Sequence, residues 1–482
     1  MLAWSSRKRD MTKVPVAAAH VTTPRDPLRE FVGILENAGE LIRVPDEVDP
    51  EFEICAFCRH AADDDGPALI FERIKGYDMS ALANLFGTRR RIAMALGVLP
   101  EDMHRVIAQR LRSRIAPVVV ERSDAPCKQS VATGDDVDLD KIPFPFWNVG
   151  DGGRYITAGI NMGAHPVWGK NAGIYRNMYR NRNEIFAQIA PDHQQRLFYE
   201  DLGKGCPMAI VLGADPLLFL AAGSDFPFGD YEVDVAGALR GAPIRVVKAE
   251  TIDLEVPADA EIVIETEYTG EMDDEGPFNE FTGYQSEKRK APIWRVTAIT
   301  TRQNPIMHMA FAGKPPNENV VFWRELEDAV ALDALRQRFP LVTGIARPAE
   351  FARDFWGIVQ IDPKRRRPGI IRNLLLAMTY LMPRLKYLVA VDDDIDIYRA
   401  HDVFWAISTR VDPGRDVFIV PETGAGPVDP SSYDFGITSK LFIDATRKAH
   451  FRGVVSMPPK NVLDSVRIRL DELLNSMPRW KN

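Results

Sequence analysis

The chain has 482 residues, 45% of them hydrophobic and 27% charged, with a net charge of −8. That length exceeds one ordinary core and predicts two or three domains. The acidic balance argues against non-specific nucleic-acid binding, which needs a basic face, and no apolar run reaches the roughly 18 residues of a membrane span.

The first stretch, "MLAWSSRKRDMTKVPVAAAHV", has basic residues but no apolar segment followed by a cleavage site, so it does not read as a signal peptide. Residues 1–25 are expected to be a disordered extension, Met11 is an alternative start, and the chain is expected to be cytoplasmic. Residues 26–120 alternate helix and strand. "DPLREFVGILENAGELIRV" opens with Pro27 at a helix start and closes with Gly39 where a C-terminal cap belongs, before a short strand. "FEICAFCRHAAD" reads as an amphipathic helix, so its C-x-x-C pair, Cys55 and Cys58, reads as buried free thiols rather than a metal or redox site. With Cys127 and Cys206 the only others, no disulfide framework is implied. "PALIFERIKG" is a strand, and "RIAMALGV" and "PEDMHRVIAQRLRSRI" are helices. The basic runs "TRRRIAMALG" (88–97) and "DPKRRRPG" (362–369) read as solvated surface or interface.

From 121 to 312 the signature changes to short β-rich runs: "YITAGINMGAHP", "GIYRNMYRN", "PMAIVLGAD", "LLFLAAG", "PIRVVKAE", "AEIVIETEYTG" and "IWRVTAITT". Strands spaced this closely, with the helices "HQQRLFYEDLG" and "DVAGALRG" between them, predict a barrel-like sheet rather than βαβ winding. Residues 313–482 return to alternating α/β, with helices in "RELEDAVALDALRQRF" and "GIIRNLLLAMTYLM" and strands in "FWGIVQID" and "YLVAVDDDI". A final amphipathic helix gathers Leu463, Val466, Leu470, Leu473, Leu474 and Met477 on one side, to pack on another subunit or on its own core. No G-x-G-x-x-G or P-loop stands at a strand–helix junction, so ordinary dinucleotide and nucleotide-triphosphate sites lack support.

"EGPFNEFTGY" (275–284) sets two glutamates five positions apart around a Gly-Pro insert, in what reads as a loop between two strands. Loops on a strand scaffold commonly carry reactive side chains, although acidic residues around such a turn are more often simply solvated. Within the β-rich middle, Asn171 and Arg176 share a strand, His193 follows a proline at a helix start, and Glu232 enters another helix. Asn, His and Glu together can bind a hard divalent ion such as Mg²⁺ or Mn²⁺. At separations of 22 and 39 residues, spacing alone does not bring them together, and for each the plainer reading is a capping or surface group.

In order, "LFGTRRRIAMALG", "DGGRYIT", Asn171 and Arg176, "PDH", "DYEVDVAGAL", "VVKAETIDLEVPADAEIVIE", "EGPFNEFTGY", "DDDIDIYRAHDVFWAISTR" and "SKLFIDATRK" resemble the UbiD-like family of prenylated-FMN-dependent decarboxylases over residues 26–450. The resemblance implies an α+β fold with a central split-barrel flavin domain between α/β segments, the C-terminal one mediating a homodimer or homohexamer. It implies prenylated FMN, supplied by a flavin prenyltransferase, with its phosphate held through Mn²⁺ (or Mg²⁺) and with K⁺ nearby. By position, Asn171, His193 and Glu232 carry over as metal ligands, Arg176, Glu275 and Glu280 as the catalytic trio, and Lys440 as a basic group approaching the phosphate. The family often has Gly where Asn279 stands, a departure that could reshape the pocket. His308, Phe311 and Phe322 are candidates to line it, with core packing equally open to the phenylalanines.

The chemistry agrees with these roles. Loss of CO₂ from an sp² carbon leaves a carbanion that requires an electron sink, which is a cofactor's task. Arg176 can bind the substrate carboxylate through its planar fork, with Glu275 holding the guanidinium, and Glu280 can protonate the vacated carbon. The other readings are a flavin oxidoreductase on the same scaffold, which would need an NAD(P)H site, and a non-catalytic accessory protein, which would not need the trio.

Overall fold

The computed structural model describes residues 26–191, 193–351, 355–424, 426, 428–433 and 436–476. The extension expected over 1–25, Met11 and Met477 lie outside them. The N-terminal segment opens with the helix Pro27–Asn37, Pro27 at its first turn, and continues through the strand Leu41–Val48, the helix Glu53–Asp63 and the strands Ala68–Ile74 and Ser80–Ala83. Its four-stranded sheet is completed by Ile306–His308, which pairs in parallel with Ser80–Ala83. The chain therefore returns to this first sheet after leaving the central one. All four cysteines are buried and free.

The basic run 88–97 is less solvated than its composition predicts. Arg91 is fully buried, its guanidinium donating to the carbonyls of Leu85, Gly66 and Asn84 and pairing with Glu40. Arg89 is bound to Glu325 of the long helix Glu318–Arg338. Charge alone suggests solvent, but a guanidinium with enough carbonyl acceptors can be buried.

Nine strands build the central sheet: β1 Ser130–Thr133, β2 Tyr155–Ile156, β3 Ile160–His165, β4 Gly169–Ile174, β5 Arg176–Asn181, β6 Glu184–Gln188, β7 Pro207–Leu212, β8 Ile262–Glu275 and β9 Arg289–Thr301. Their spatial order is β2-β5-β6-β9-β8-β7-β3-β4, with β1 beside β9. One residue, Tyr175, separates β4 from β5, although they stand six strand-to-strand steps apart in the sheet. A flat sheet would place them about 29 Å apart at ~4.8 Å per step, whereas a single intervening residue spans at most about 7 Å. The sheet must curl back on itself. Across the seam, Asn161 of β3 and Asn177 of β5, both fully buried, exchange side-chain hydrogen bonds of 3.2 and 3.0 Å.

Two sequence expectations change here. The "LLFLAAG" segment, expected as a strand, is the helix Pro216–Ala222, buried at every residue. An unbroken apolar run fits either element; Asp215 decides it by capping the Leu217 amide at 2.8 Å, with Pro216 at the first helical position. Asn171 and Arg176 do not share a strand but lie on β4 and β5, on either side of the seam.

The C-terminal part is α/β as expected. Its sheet runs in the order Val342–Ala346, Trp356–Ile361, Tyr387–Asp392, Ile437–Asp444, Val417–Gly424, the middle three parallel, with the helices Ile370–Leu381 and Ala400–Arg410 among them. The terminal helix Lys460–Ser476 leaves Leu463, Val466, Leu470 and Leu473 exposed, and the Leu474 side chain lies outside what is described. Among the described residues, no helix is long and apolar enough to cross a membrane.

The seam bond gives a direct test. Replacing Asn177 with Leu leaves Asn161 Oδ1 buried without its donor, while Asn161 Nδ2 keeps the Gly159 carbonyl, and stability should fall by about 1–3 kcal/mol. The double replacement Asn161→Leu/Asn177→Leu removes both polar groups and should cost less than the sum of the single changes. Additive losses in thermal unfolding would contradict the pairing.

Candidate active site

Arg176, the first residue of β5, brings the two loop glutamates together. Its Nη2 donates to Glu275 Oε2 at 2.7 Å; its Nη1 donates to Glu280 Oε1 at 2.5 Å and to Ser286 Oγ at 3.1 Å. Glu275 ends β8 opposite Arg289 of β9, so ladder register fixes it, and it is fully buried. Its second oxygen accepts from the Tyr155 hydroxyl at 3.0 Å. Glu280 sits at the loop's tip, where its amide donates to Tyr284 O at 3.0 Å and its carbonyl accepts from the Gly283 amide at 2.9 Å. Lower in the loop, the Ser286 amide donates to Phe278 O at 2.8 Å. Strand register holds one carboxylate and a turn holds the other.

The "DGG" stretch anchors the loop from outside. Asp151 accepts from the Asn279 amide at 2.8 Å, and the Gly152 amide donates to Pro277 O at 2.7 Å. A Cβ on Gly152 would stand 2.2 Å from Gly276 O, so glycine is required for this backbone contact. Gly276 itself takes a φ of +95°, a region that favours glycine.

Burial is the largest influence on Glu280 and raises its carboxyl above the usual range; Glu275 adds to this and Arg176 opposes it. Burial also opposes the charge on Arg176, but the two carboxylates outweigh it and raise the guanidinium further. The Tyr155 phenol is raised by burial and by Glu275, which keeps it a hydrogen-bond donor.

The other sequence candidates gather around Tyr175. Asn171 of β4 donates to the Tyr175 hydroxyl at 3.1 Å, and the Tyr175 ring meets the His193 ring edge-on at 5.2 Å. His193 stands at the position before the helix Gln194–Leu202, and Glu232 begins the helix Glu232–Arg240. The Glu232 carboxylate accepts from the Ala172 amide at 2.8 Å, one residue from Asn171, and burial pushes its carboxyl up to about 7. Asn171 and His193 thus meet at Tyr175, Glu232 binds the residue after Asn171, and Arg176 follows Tyr175 directly in the chain. Among the described residues no group of three or more His, Cys, Asp and Glu side chains is arranged to hold a metal ion. A set with one amide, one imidazole and one carboxylate is of a different kind, and its oxygen and nitrogen donors fit a hard divalent ion.

Several buried polar atoms have no protein partner: Arg176 Nε, Gln188 Oε1, Asn279 Oδ1 and both polar atoms of Gln195. Gln188 stands directly opposite Arg176 in the β5–β6 ladder, so the two side chains share one face. The unpaired atoms of Arg176, Gln188 and Asn279, in or beside the trio, suit a ligand with polar ring atoms, as a flavin has.

Lys440 lies farther off in its contacts. It is buried on the strand Ile437–Asp444, donates to the carbonyls of Pro383 and Leu385, and is shifted downward by burial. Pro383, Arg384 and Leu385 line a cleft of about 550 Å³ with Ser224, Phe226 and Asp230; none of the sequence candidates, Lys440 included, lines it. Phe311 and Phe322 are buried in aromatic packing, against Trp147 and Phe219. His308 packs on Phe219 at 4.6 Å, and burial lowers its pKa to about 3. Sequence reasoning missed Ser286, Tyr155, Tyr175 and Gln188. Only Ser286 carried a readable signal, as the polar residue at the far foot of the singled-out loop.

Three family models match in series: the N-terminal domain of 3-octaprenyl-4-hydroxybenzoate carboxy-lyase over residues 32–111, its Rift-related domain over 118–315 and its C-terminal domain over 320–445. The chain belongs to the UbiD family. Among solved structures of that class, HmfF from Pelotomaculum thermopropionicum in complex with FMN is 32% identical, with 91% of this chain and 99% of that chain covered and a TM-score of 0.85. Vanillic acid decarboxylase from Sedimentibacter hydroxybenzoicus, in open form, is 31% identical over 95% and 100% of the two chains, with a TM-score of 0.82. The 3,4-dihydroxybenzoic acid decarboxylase from Enterobacter cloacae is 27% identical over 92% and 99%, with a TM-score of 0.84. Family membership makes the chain a carboxy-lyase.

Gly152→Ala tests the anchoring of the loop. The added methyl must displace the Gly276 carbonyl, and a shift of about 1 Å at a reacting group costs roughly 10²-fold in rate. Turnover should fall by that order, while overpacking costs about 1–3 kcal/mol of stability. A variant with wild-type turnover would show that the loop does not depend on this contact.

Proposed function

We propose that this protein is a non-oxidative, reversible decarboxylase of an aromatic, heteroaromatic or α,β-unsaturated carboxylic acid, using prenylated FMN. The observation that carries this reading is Arg176, clamped by Glu275 and Glu280 while its buried Nε–H remains without a protein partner. Two carboxylates fix the guanidinium, and the free N–H offers a donor to a ligand oxygen. The bound cofactor would supply the electron sink that accepts the charge left at carbon as CO₂ departs. Arg176 orients the acid, and Glu275, itself held by Tyr155, keeps the guanidinium from turning. Glu280, raised by burial, holds a proton and gives it to the vacated carbon. Two carboxyls on one guanidinium separate in their titration, so one stays ionised while the other is protonated.

Asn171, His193 and Glu232 are proposed to hold Mn²⁺ or Mg²⁺ against the cofactor phosphate; their donor set and their linkage through Tyr175 and Ala172 support this. The solved complexes of HmfF with FMN and, in an evolved dimeric form, with prFMN support the flavin. Lys440, the K⁺ and the supplying prenyltransferase rest on the family resemblance. The curled sheet is read as the family's split barrel, with segments at 26–120, 121–312 and 313–482. The exposed face of the terminal helix supports a homodimer or homohexamer. The flavin oxidoreductase reading gains nothing from these neighbours, which are decarboxylases by name.

Glu280→Gln is nearly isosteric but holds no transferable proton. The variant should retain prenylated FMN and lose at least ~10²-fold in turnover. In the wild type, activity should fall as pH rises through the raised Glu280 pKa, because the protonated form is the active one. Full turnover by the loaded Gln variant would refute the proton-donor role.

A further inference from the structure

We propose that Ser286 is a positioning residue for proton delivery: its hydroxyl keeps Arg176 in place while Glu280 is protonated and released from the guanidinium. This rests on the reading of Glu280 as the proton donor. Arg176 Nη1 carries two N–H bonds, one aimed at Glu280 Oε1 at 2.5 Å and the other at Ser286 Oγ at 3.1 Å. Nη2 is occupied by Glu275 at 2.7 Å, and Nε has no protein partner.

The difficulty for Glu280 is that its two tasks conflict. Facing a guanidinium, a carboxyl group is stabilised as the anion; delivering a proton requires the neutral acid, turned toward carbon. When Glu280 lets go, Glu275 alone would leave the planar fork free to pivot about Nη2. Ser286 supplies a second contact on the opposite nitrogen, so the guanidinium keeps its plane. The serine is suitably held. Its amide donates to Phe278 O at 2.8 Å and its Oγ accepts from the Phe278 amide at 3.3 Å, which spans the neck of the loop carrying Glu280. Both acceptor positions of the hydroxyl are thereby used, by Arg176 and Phe278. In the transfer itself the Glu280 O–H bond breaks and a C–H bond forms from the electron pair that CO₂ left behind. Glu280 is left as a carboxylate, returns to Nη1 and takes its next proton from solvent.

Removing the hydroxyl leaves Nη1 without an acceptor once Glu280 turns away. The neutral, released state of Glu280 then loses ground to the ion-paired state. Its protonation, and with it the upper pH limb of kcat, moves to lower pH. The charged groups acting on Glu280 are Arg176 from β5, Glu275 from β8 and Arg289 from β9. Asp151 and Tyr155 hold the neighbouring Asn279 and Glu275, and the Lys314 backbone abuts Gly283. Of these groups a change at Ser286 touches only Arg176 directly, through the Nη1 bond.

The test uses the prenylated-FMN-loaded enzyme in three forms, Ser286→Ala, Ser286→Thr and Glu280→Gln, beside the wild type. Ser286→Ala should lower kcat roughly tenfold, the effect of one hydrogen bond to a charged group. KM should change little, the upper limb should move to lower pH, and Ser286→Thr should restore both kcat and the limb. A Ser286→Ala enzyme with wild-type kcat and an unmoved limb, alongside an inactive Glu280→Gln enzyme, overturns the proposal and leaves the proton-donor reading standing. A loss of kcat with no movement of the limb also overturns it, since that marks a brace for the loop alone. A fully active Glu280→Gln enzyme removes the reading on which the proposal rests.

Discussion

A buried guanidinium shared by two carboxyl groups takes charge into a region poor in water, and such a cluster survives only if its remaining lone pairs and protons are met. Around Arg176 most of them are. Tyr155 satisfies the second oxygen of Glu275, Ser286 takes the spare hydrogen of Nη1, and the Phe278 ring lies 5.3 Å from the guanidinium carbon. The rest of the central sheet can be understood as what keeps these groups in register. β8 must run far enough to place Glu275 at its end, and the loop beyond must fold back to bring Glu280 to the same fork. The glycines at 152 and 276 permit the backbone contact that fixes that loop. The Nε–H, on the one guanidinium nitrogen with no protein partner, points to what the cluster is for.

The curl of the sheet extends this constraint to the second cluster. Because Tyr175 alone joins β4 to β5 across the seam, Asn171 and Arg176 end up on strands at opposite sides of the sheet's order though only five residues apart in the chain. Tyr175 faces Asn171 and His193, and Glu232 reaches the adjacent Ala172 amide from its own helix. A ligand with a flavin ring at one end and a phosphate at the other would engage both clusters, with the seam setting the distance between them. The paired amides of Asn161 and Asn177 hold that distance from within the core.

Much of this was legible in the chain. The Gly-Pro insert marked "EGPFNEFTGY" as a loop between strands, and the proline before His193 and the run after Glu232 marked two helix starts. Local chemistry fixes these features, so local reading finds them. What escaped was non-local. "LLFLAAG" is apolar at every position, and only the cap from Asp215 makes it a helix. The break at Tyr175 follows from sheet order, which no periodicity in "NAGIYRNMYRN" reveals. Arg91 is buried because carbonyls from three distinct positions converge on it. Tyr155 and Gln188 look like ordinary strand residues until pairing sets them beside Glu275 and Arg176.

The central claim is that Arg176 presents its free edge to the ligand while two carboxylates hold the other edge. It is tested most directly by a crystal structure of the protein loaded with prenylated FMN and a non-reactive analogue of a carboxylic acid substrate. The account predicts that Arg176 Nε–H donates to an oxygen of the cofactor or of the analogue, with the Glu275 contact retained. A structure with both ligands bound elsewhere, and Nε still lacking a partner, would contradict it.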